Sequence, residues 1–202
     1  LVGEETQRRL KTEPGVIRLK IPSEILHFED MVRGAVKFDT GLLGDIIIAK
    51  SLDEPLYNFA AAVDDFEMKI SHVIRGEDHL SNTPKQIIIQ EMLGFNKPHY
   101  AHLPLILGPD RRKLSKRYLD HSLNDYKNDG ILAQAILNFL AFLGWHPKED
   151  REVLSVEEMI KEFELKRVQR AGAILNPEKL LWLNGHYVKT LDSGVLFQAL
   201  QP

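Results

Sequence analysis

Short runs of alternating apolar and polar side chains characterise the first fifty residues. Residues 16–21 read VIRLKI, an alternation that predicts a half-buried strand. The same pattern, interrupted by glycines at turn positions, predicts further strands at 27–28, 35–38 and 45–49. This part of the chain is therefore expected to be mostly β, and its residues alone fit an ordinary small antiparallel sheet.

A helix is expected next. Pro55 fits its first turn, and the helix extends to about residue 64 with one apolar face. That face comprises Leu56, Phe59, Ala60 and Val63. Tyr57 and Ala61 lie one turn apart on a different face. The pair Asp64-Asp65 has the composition of a paired-carboxylate acid/base site, but a solvated turn is the better interpretation.

From residue 69 onward, the pattern predicts a strand, a helix and a second strand. The strands are expected at 69–75 and 101–107, and the helix between them starts with Thr83 as N-cap and stops at Gly94. Such a unit is the parallel crossover of a doubly wound α/β sheet. It places Arg75 and the loop after the second strand at the same carboxyl edge, where ligands bind.

Residues from 122 onward carry helical signals. Two capping boxes pair Ser122 with Asp125 and Ser155 with Glu158. A stripe at helical spacing predicts a helix over 132–143 that ends at Gly144. The stripe comprises Leu132, Ile136, Phe139, Leu140 and Leu143. The dipeptide Asn176-Pro177 opens another helix, which is expected to run through Trp182.

Composition limits the class of protein. The chain has 202 residues, a formal net charge of −3 and no cysteine, so disulfides and thiolate metal sites are excluded. No apolar run approaches the roughly 18 residues of a membrane helix, and no signal peptide opens the chain. We therefore expect a cytoplasmic globular protein without membrane contact. Any binding of nucleic acid must use local basic patches.

One such patch follows the strand predicted at 101–107. Over residues 109–120, five cations stand against two carboxylates, and Gly108 breaks the strand into a loop. A cationic loop that leaves the carboxyl end of an α/β strand is well placed to hold a polyphosphate. A solvated surface turn is the alternative, and composition does not decide between the two.

Metal and nucleotide motifs are sparse. His99 and His102 have a spacing that suits a metal pair, but no third ligand candidate lies nearby, so both are interpreted as structural. His79 alone is also more typical of a structural histidine. The chain contains neither a Walker A loop nor a GxGxxG motif.

Four motifs stand out along the chain. Residues 57–60 read YNFA, 72–84 read HVIRGEDHLSNTP, 113–117 read KLSKR and 181–187 read LWLNGHY. The third resembles the KMSKS loop of class I aminoacyl-tRNA synthetases, and all four, in this order, resemble the glutamyl-tRNA synthetases. The resemblance covers nearly the whole chain.

The resemblance implies an α/β fold class and four segments. These are the β-rich end of the connective, acceptor-stem-binding insertion (1–54), the second half of a class I Rossmann fold (55–107), the KLSKR loop with an all-α stem-contact domain (108–190), and the start of an anticodon-binding region (191–202). A HIGH-type motif, which forms the other half of the family's ATP site, is absent from the chain. We therefore expect the central part of a longer enzyme.

The resemblance also implies nucleotide-binding roles. Lys116 would neutralise phosphate charge as pyrophosphate leaves, with Lys113 and Arg117 in support, because a flexible ammonium can follow a moving phosphate. The residues that match the family's nucleotide-facing positions are Asp78, His79 and the backbone near Ile106. Magnesium (Mg2+) would accompany ATP, and no protein-bound zinc is expected.

Two residues match the family's amino-acid-binding positions. Arg75 would meet the side-chain carboxylate of glutamate, because its planar guanidinium gives paired charge-assisted hydrogen bonds. Its alternative is a structural ion pair with Asp64, Asp65 or Glu77. Tyr57 would contact the amino acid, and the alternative is a half-buried core tyrosine. Ala61 departs from family members that carry an amide there, because its side chain cannot form a hydrogen bond.

The function implied by the resemblance is ATP-dependent ligation of L-glutamate to the 3′ end of tRNA(Glu) through glutamyl-adenylate. Positioning and charge stabilisation supply most of the catalysis in both steps. The parent enzyme is expected to be a monomer. The alternatives are another adenylate-forming nucleotidyl transferase of similar fold and a non-catalytic, tRNA-binding paralogue.

Overall fold

The computed structural model describes residues 3–5, 8–9, 15–114 and 122–199 of the chain. The chain divides into two compact units, an N-terminal unit (Leu1–His102) and a C-terminal unit (Leu103–Pro202). Strands and helices are mixed in the chain, as the predicted α/β class requires. Among the described residues, no helix is both long and apolar enough to cross a membrane.

Four strands form in the β-rich first part of the N-terminal unit. β1 (Ile17–Leu19) pairs antiparallel with β4 (Ile46–Ala49) in a two-stranded sheet. Between them, β2 (Ile25–Asp30) and β3 (Gly34–Asp39) form an antiparallel hairpin. The sequence predicted all four strands, and the hairpin strands are longer than expected because their ladder runs from the Ile25–Asp39 pair to the Asp30–Gly34 pair.

The hairpin belongs to a larger sheet. Its strand order is β3-β2-β6-β5, where β5 is His72–Gly76 and β6 is His99–Leu103. β2 lies parallel to β6, with Asp30 opposite Tyr100. Residues before position 54 therefore share one sheet with strands of the expected Rossmann half. The four expected segment boundaries stay predictions.

The helix that follows β4 is Tyr57–Glu67, here called α1. It begins two residues later than expected, because Pro55 forms an isolated β-bridge with Ala49. The interpretation of Asp64 and Asp65 as a solvated turn is wrong, since both lie within α1. The helix ends only where Lys69 adopts a positive φ of 56°.

The second helix, α2, is Thr83–Leu93. Asn82 occupies the N-cap position that was expected for Thr83, because the Thr83 hydroxyl is engaged elsewhere. Gly94 ends the helix in the left-handed conformation, as predicted. Ile87 and Ile88 of α2 belong to one buried cluster with Leu26 of β2 and Tyr100 of β6, so burial of apolar surface fastens α2 to the sheet.

The strand expected at 101–107 is interrupted. β6 ends at Leu103 and a short strand, β7 (Ile106–Leu107), follows Pro104. Proline has no N–H to donate to a ladder, which explains the break within the apolar run. β7 pairs in parallel with β8 (Ala173–Ile174) in the C-terminal unit.

Helices are the main further elements in the described part of the C-terminal unit. Its helices are α3 (Leu123–Asn128), α4 (Ala133–Phe142), α5 (Val156–Glu162), α6 (Pro177–Thr190) and α7 (Ser193–Ala199). Both predicted capping boxes are confirmed, at the starts of α3 and α5. α6 continues past the expected end at Trp182, because Leu183 and Tyr187 extend its contact with the core cluster around Phe139. Leu140, placed on the apolar stripe, is 51% exposed.

Asn138 of α4 is a buried polar centre of this unit. Its Oδ1 accepts a hydrogen bond from Leu154 N–H at 2.8 Å, and the Tyr187 hydroxyl lies 2.8 Å from the same oxygen. Its Nδ2 donates to Glu152 O at 3.1 Å. One amide thereby joins α4, the segment before α5, and α6.

We expect Asn138→Ala to lower the free energy of unfolding by roughly 2–4 kcal/mol, because the substitution leaves several buried polar groups without a partner. Urea unfolding of the 202-residue chain measures the change. Tyr187→Phe removes only one of these bonds and should cost about 1 kcal/mol. Equal losses in the two variants would contradict this account.

Candidate active site

Arg75 lies near the end of β5, and side chains of α2 and β6 hold its guanidinium. Nη2 donates to Thr83 Oγ1 at 2.8 Å and to Gln86 Oε1 at 2.9 Å, and Nε donates to His102 Nε2 at 3.2 Å. The guanidinium carbon lies 5.7 Å from the centre of the Tyr100 ring. These contacts fix the position of the guanidinium without placing an anion against it.

His102 is neutral in this arrangement. Its Nδ1 lies 2.6 Å from Asp30 Oδ2, and both side chains are completely buried. Burial, the largest cause, lowers the pKa of His102 against the opposing effect of Asp30, and the charges of Arg75 and Arg33 lower it further. Burial acts to raise the pKa of Asp30, but hydrogen bonds, first that of the Arg33 N–H and then that of His102, bring it below its usual value.

The expected ion-pair alternative for Arg75 is not observed in the described part of the chain. Glu77 forms its ion pair with Arg33. No described carboxylate pairs directly with Arg75, whose hydrogen bonds go to Tyr57 and to the three residues above. Burial raises the pKa of Asp65, and the nearby charge of Arg75 acts in the opposite direction. Among the described carboxylates, Asp65 therefore acts on the positive charge of Arg75 only from a distance, without a direct ion pair.

Tyr57 and His79 lie beside Arg75. The Tyr57 hydroxyl is 3.2 Å from His79 Nδ1 and 3.5 Å from Arg75 Nη1. The two rings meet edge to face with their centres 5.6 Å apart. Tyr57 is 52% exposed, so about half of its surface is open to a ligand, and its contact with the amino acid stays a prediction. The fold thus brings together three predicted site residues that are up to 22 positions apart.

Asp78 belongs to the short 3₁₀ turn Glu77–His79 that follows β5. A Cβ added at Gly76 would stand 2.6 Å from Asp78 Oδ1. The glycine therefore lets this carboxylate fold back over the end of the strand. Asp78 is otherwise exposed, as a nucleotide-facing position requires.

The basic loop lies in the C-terminal unit and starts as a tight turn after β7. Gly108 N–H donates to Arg112 O at 2.9 Å, and Leu114 N–H donates to Ile106 O at 3.3 Å. Lys113 is exposed and forms an isolated bridge with Leu107. Lys116 and Arg117 lie outside the described residues. The expected meeting of this loop with Arg75 stays a prediction.

The two histidines at 99 and 102 have different surroundings. His99 is exposed, and its ring centre lies 5.0 Å from that of His72. His102 is buried against Asp30 and Thr83, which agrees with its structural interpretation. Among residues 15–114 and 122–199, no group of three or more His, Asp or Glu side chains could hold a metal ion.

Sequence reasoning missed four residues around Arg75. They are Asp30, Thr83, Gln86 and His102. Thr83 had been expected only as a helix cap, and the hydrogen bonds of the His102 ring nitrogens had not been expected. A weak signal existed for Gln86, which lies three residues after Thr83 and so shares its helix face. No sequence signal pointed to Asp30, because its partner His102 is 72 positions away.

The four-stranded sheet, with α2 packed against it and Arg75 near the end of β5, is the kind of α/β arrangement found in class I synthetases. The chain matches the family described as "tRNA synthetases class I (E and Q), catalytic domain" over residues 1–182 and belongs to it. This membership confirms the predicted α/β fold class and the resemblance carried by the four motifs.

Individual relatives agree with the family. The chain is 52% identical to a glutamate–tRNA ligase of Sulfurihydrogenibium sp. over 87% of its own length and 37% of that protein. It is 46% identical to glutamate–tRNA ligase 2 of Caldicellulosiruptor saccharolyticus, over 98% of its own length and 42% of that protein. The chain therefore spans well under half of the curated relatives it matches.

Solved structures show the same likeness. A glutamate–tRNA synthetase from Elizabethkingia anophelis superposes with a TM-score of 0.88 at 36% identity, covering 98% of this chain and 44% of that one. A glutamate–tRNA ligase from Elizabethkingia meningosepticum, in complex with its amino acid, gives a TM-score of 0.87 at 37% identity, covering 96% of this chain and 43% of that one.

Proposed function

We propose that this chain is the central part of an enzyme that joins L-glutamate to the 3′ end of tRNA(Glu) through glutamyl-adenylate, at the expense of ATP. The observation that carries the proposal is the guanidinium of Arg75, which neutral groups hold in place. A fixed cation without a carboxylate partner is suited to a substrate carboxylate. The names of the relatives support glutamate as that substrate.

The hydrogen bonds of Arg75 indicate how it would bind. Nε and Nη2 donate to protein groups, whereas among the described residues Nη1 has only the 3.5 Å contact with the Tyr57 hydroxyl. We infer that Nη1 and Tyr57 receive the side-chain carboxylate of glutamate. This is a single-nitrogen contact, instead of the paired contact expected from the sequence, because Thr83 and Gln86 already occupy Nη2.

ATP would be bound by the second group of residues. We propose that Lys116, with Lys113 and Arg117, neutralises the phosphates as pyrophosphate leaves, and that Mg2+ accompanies the nucleotide. Asp78, His79 and the backbone near Ile106 are proposed to face the nucleotide. The exposure of Lys113 and Asp78 supports these roles. A monomeric, cytoplasmic parent enzyme remains our expectation.

The test is glutamate-dependent exchange between ATP and pyrophosphate. We expect exchange from a full-length enzyme that carries this chain, and none above background from the 202-residue chain, which has no HIGH-type motif to complete the ATP site. A full-length enzyme that activates another amino acid instead would refute the proposed substrate. Exchange by the 202-residue chain would show that its ATP site is complete.

A further inference from the structure

We propose that Asp30 and His102 are positioning residues that aim Arg75 at the substrate carboxylate. The inference rests on the proposed function of Arg75 and adds two residues that the family motifs do not contain. Neither would touch the substrate. They act through one nitrogen, His102 Nε2, whose protonation decides whether it attracts or repels the guanidinium.

Asp30 fixes the state of His102. Its Oδ1 accepts hydrogen bonds from the backbone N–H groups of Val32 at 3.0 Å, Arg33 at 2.8 Å and His102 at 3.2 Å. Its Oδ2 lies 2.6 Å from His102 Nδ1. An ionised carboxylate only accepts, so the proton between these two atoms belongs to Nδ1. Both side chains are completely buried, so bulk solvent does not compete for this contact.

A neutral His102 with its proton on Nδ1 presents a lone pair at Nε2. That lone pair faces the Arg75 Nε–H at 3.2 Å and the Thr83 hydroxyl at 2.9 Å. Thr83 Oγ1 can donate to Nε2 while it accepts from Arg75 Nη2 at 2.8 Å. With the proton on Nε2 instead, two donors would face each other, and the guanidinium would turn away.

The directions of titration agree with this geometry. The pKa of Asp30 lies below its ordinary value and that of His102 also lies below its own, so the pair is a carboxylate and a neutral imidazole near neutral pH. Tyr100, stacked 6.2 Å from the His102 ring, is also neutral because burial raises its pKa to about 12. Arg33 approaches from the hairpin turn and donates through Nε to His102 O at 3.3 Å.

A first experiment reads the tautomer directly in the 202-residue chain. Long-range ¹H–¹⁵N correlation spectra distinguish the two ring nitrogens, and the His102 signals among eight histidines are assigned by their loss in His102→Gln. We expect the proton on Nδ1 in the wild type and on Nε2 in Asp30→Asn, whose amide becomes a donor toward Nδ1. A wild-type His102 protonated on Nε2 would overturn the inference, whether or not Asp30→Asn folds.

A second experiment measures selectivity in the full-length enzyme that carries the chain. Asp30→Asn should lower kcat/KM for glutamate about 10- to 100-fold, the scale of a misplaced binding group. It should lower the ratio of kcat/KM for glutamate over glutamine, and leave KM for ATP within about twofold, because the nucleotide is bound by other residues.

Thr40→Val is the matched control. Thr40 is also completely buried in the N-terminal unit, and within the described part of the chain its hydroxyl bonds only to backbone groups of Pro22 and Glu24. It should lower the melting temperature without changing the ratio. If Asp30→Asn lowers the melting temperature without changing the ratio, as Thr40→Val does, Asp30 and His102 are merely structural and the inference fails. The proposed function still stands in that case if Arg75→Gln alters the ratio of kcat/KM for glutamate over glutamine. If Arg75→Gln leaves the ratio unchanged, the proposed function fails, and the inference fails with it.

Discussion

Arg75→Gln in the full-length enzyme should greatly lower the preference for glutamate over glutamine. The substitution removes the cation and leaves a neutral amide. Desolvating a substrate carboxylate without a cation costs roughly 2–5 kcal/mol of transition-state binding. This corresponds to a fall of about 30- to 5,000-fold in kcat/KM for glutamate. Glutamine carries no side-chain charge and should change much less.

The measurement is the ratio of the two kcat/KM values before and after the change. Arg18→Gln makes the same substitution at an exposed position of β1 and should leave the ratio unaltered. Equal losses for glutamate and glutamine in Arg75→Gln would mean that Arg75 supports the fold, as its bonds to α2 and β6 allow, and does not read the side chain.

Lys116→Ala in the full-length enzyme should slow adenylate formation by a factor on the order of 100 to 1,000, the usual consequence of losing one transition-state charge contact. Binding of ATP and glutamate should change less, because the charge on the phosphates grows as pyrophosphate departs. Single-turnover formation of glutamyl-adenylate separates the chemical step from binding.

Arg112→Ala is the matched control for the basic loop. The Arg112 side chain is 88% exposed, and its Nε lies 4.0 Å from the carboxylate of Asp110. It removes one cation from the same loop and should leave the rate within about twofold, since exposed charges contribute little. A Lys116→Ala enzyme as fast as Arg112→Ala would reduce the loop to a general electrostatic role.

Local signals in the sequence predicted local structure well. The capping boxes at Ser122 and Ser155 and the left-handed stop at Gly94 each need only neighbouring residues, and all three are observed. The alternation of side chains also located β2 and β3. Pro104 was overlooked within an apolar run, although its missing N–H was enough to end β6.

Long-range pairing was not predictable from the same patterns. Nothing in residues 25–39 indicates that this hairpin joins β6. The alternation of side chains is already explained by the antiparallel pairing of β2 with β3. The side chains that contact Arg75 could not be predicted for the same reason. Its position at a strand end was evident, whereas the buried Asp30 that reaches it through His102 comes from a distant part of the chain. A sequence pattern shows only which nearby backbone groups a threonine hydroxyl could bond. The hydroxyl of Thr83 was therefore assigned to a helix cap.

The hairpin of β2 and β3 restricts how this chain can be recombined with its relatives. Exchanging residues 1–54 as a module would replace Asp30 and leave Arg75 and His102 behind. The incoming segment must then supply a carboxylate at the same register, opposite Tyr100. Without it, the hybrid enzyme would keep its sheet and lose its discrimination between amino acids. A junction placed before Ile25 lets the whole four-stranded sheet descend from one parent.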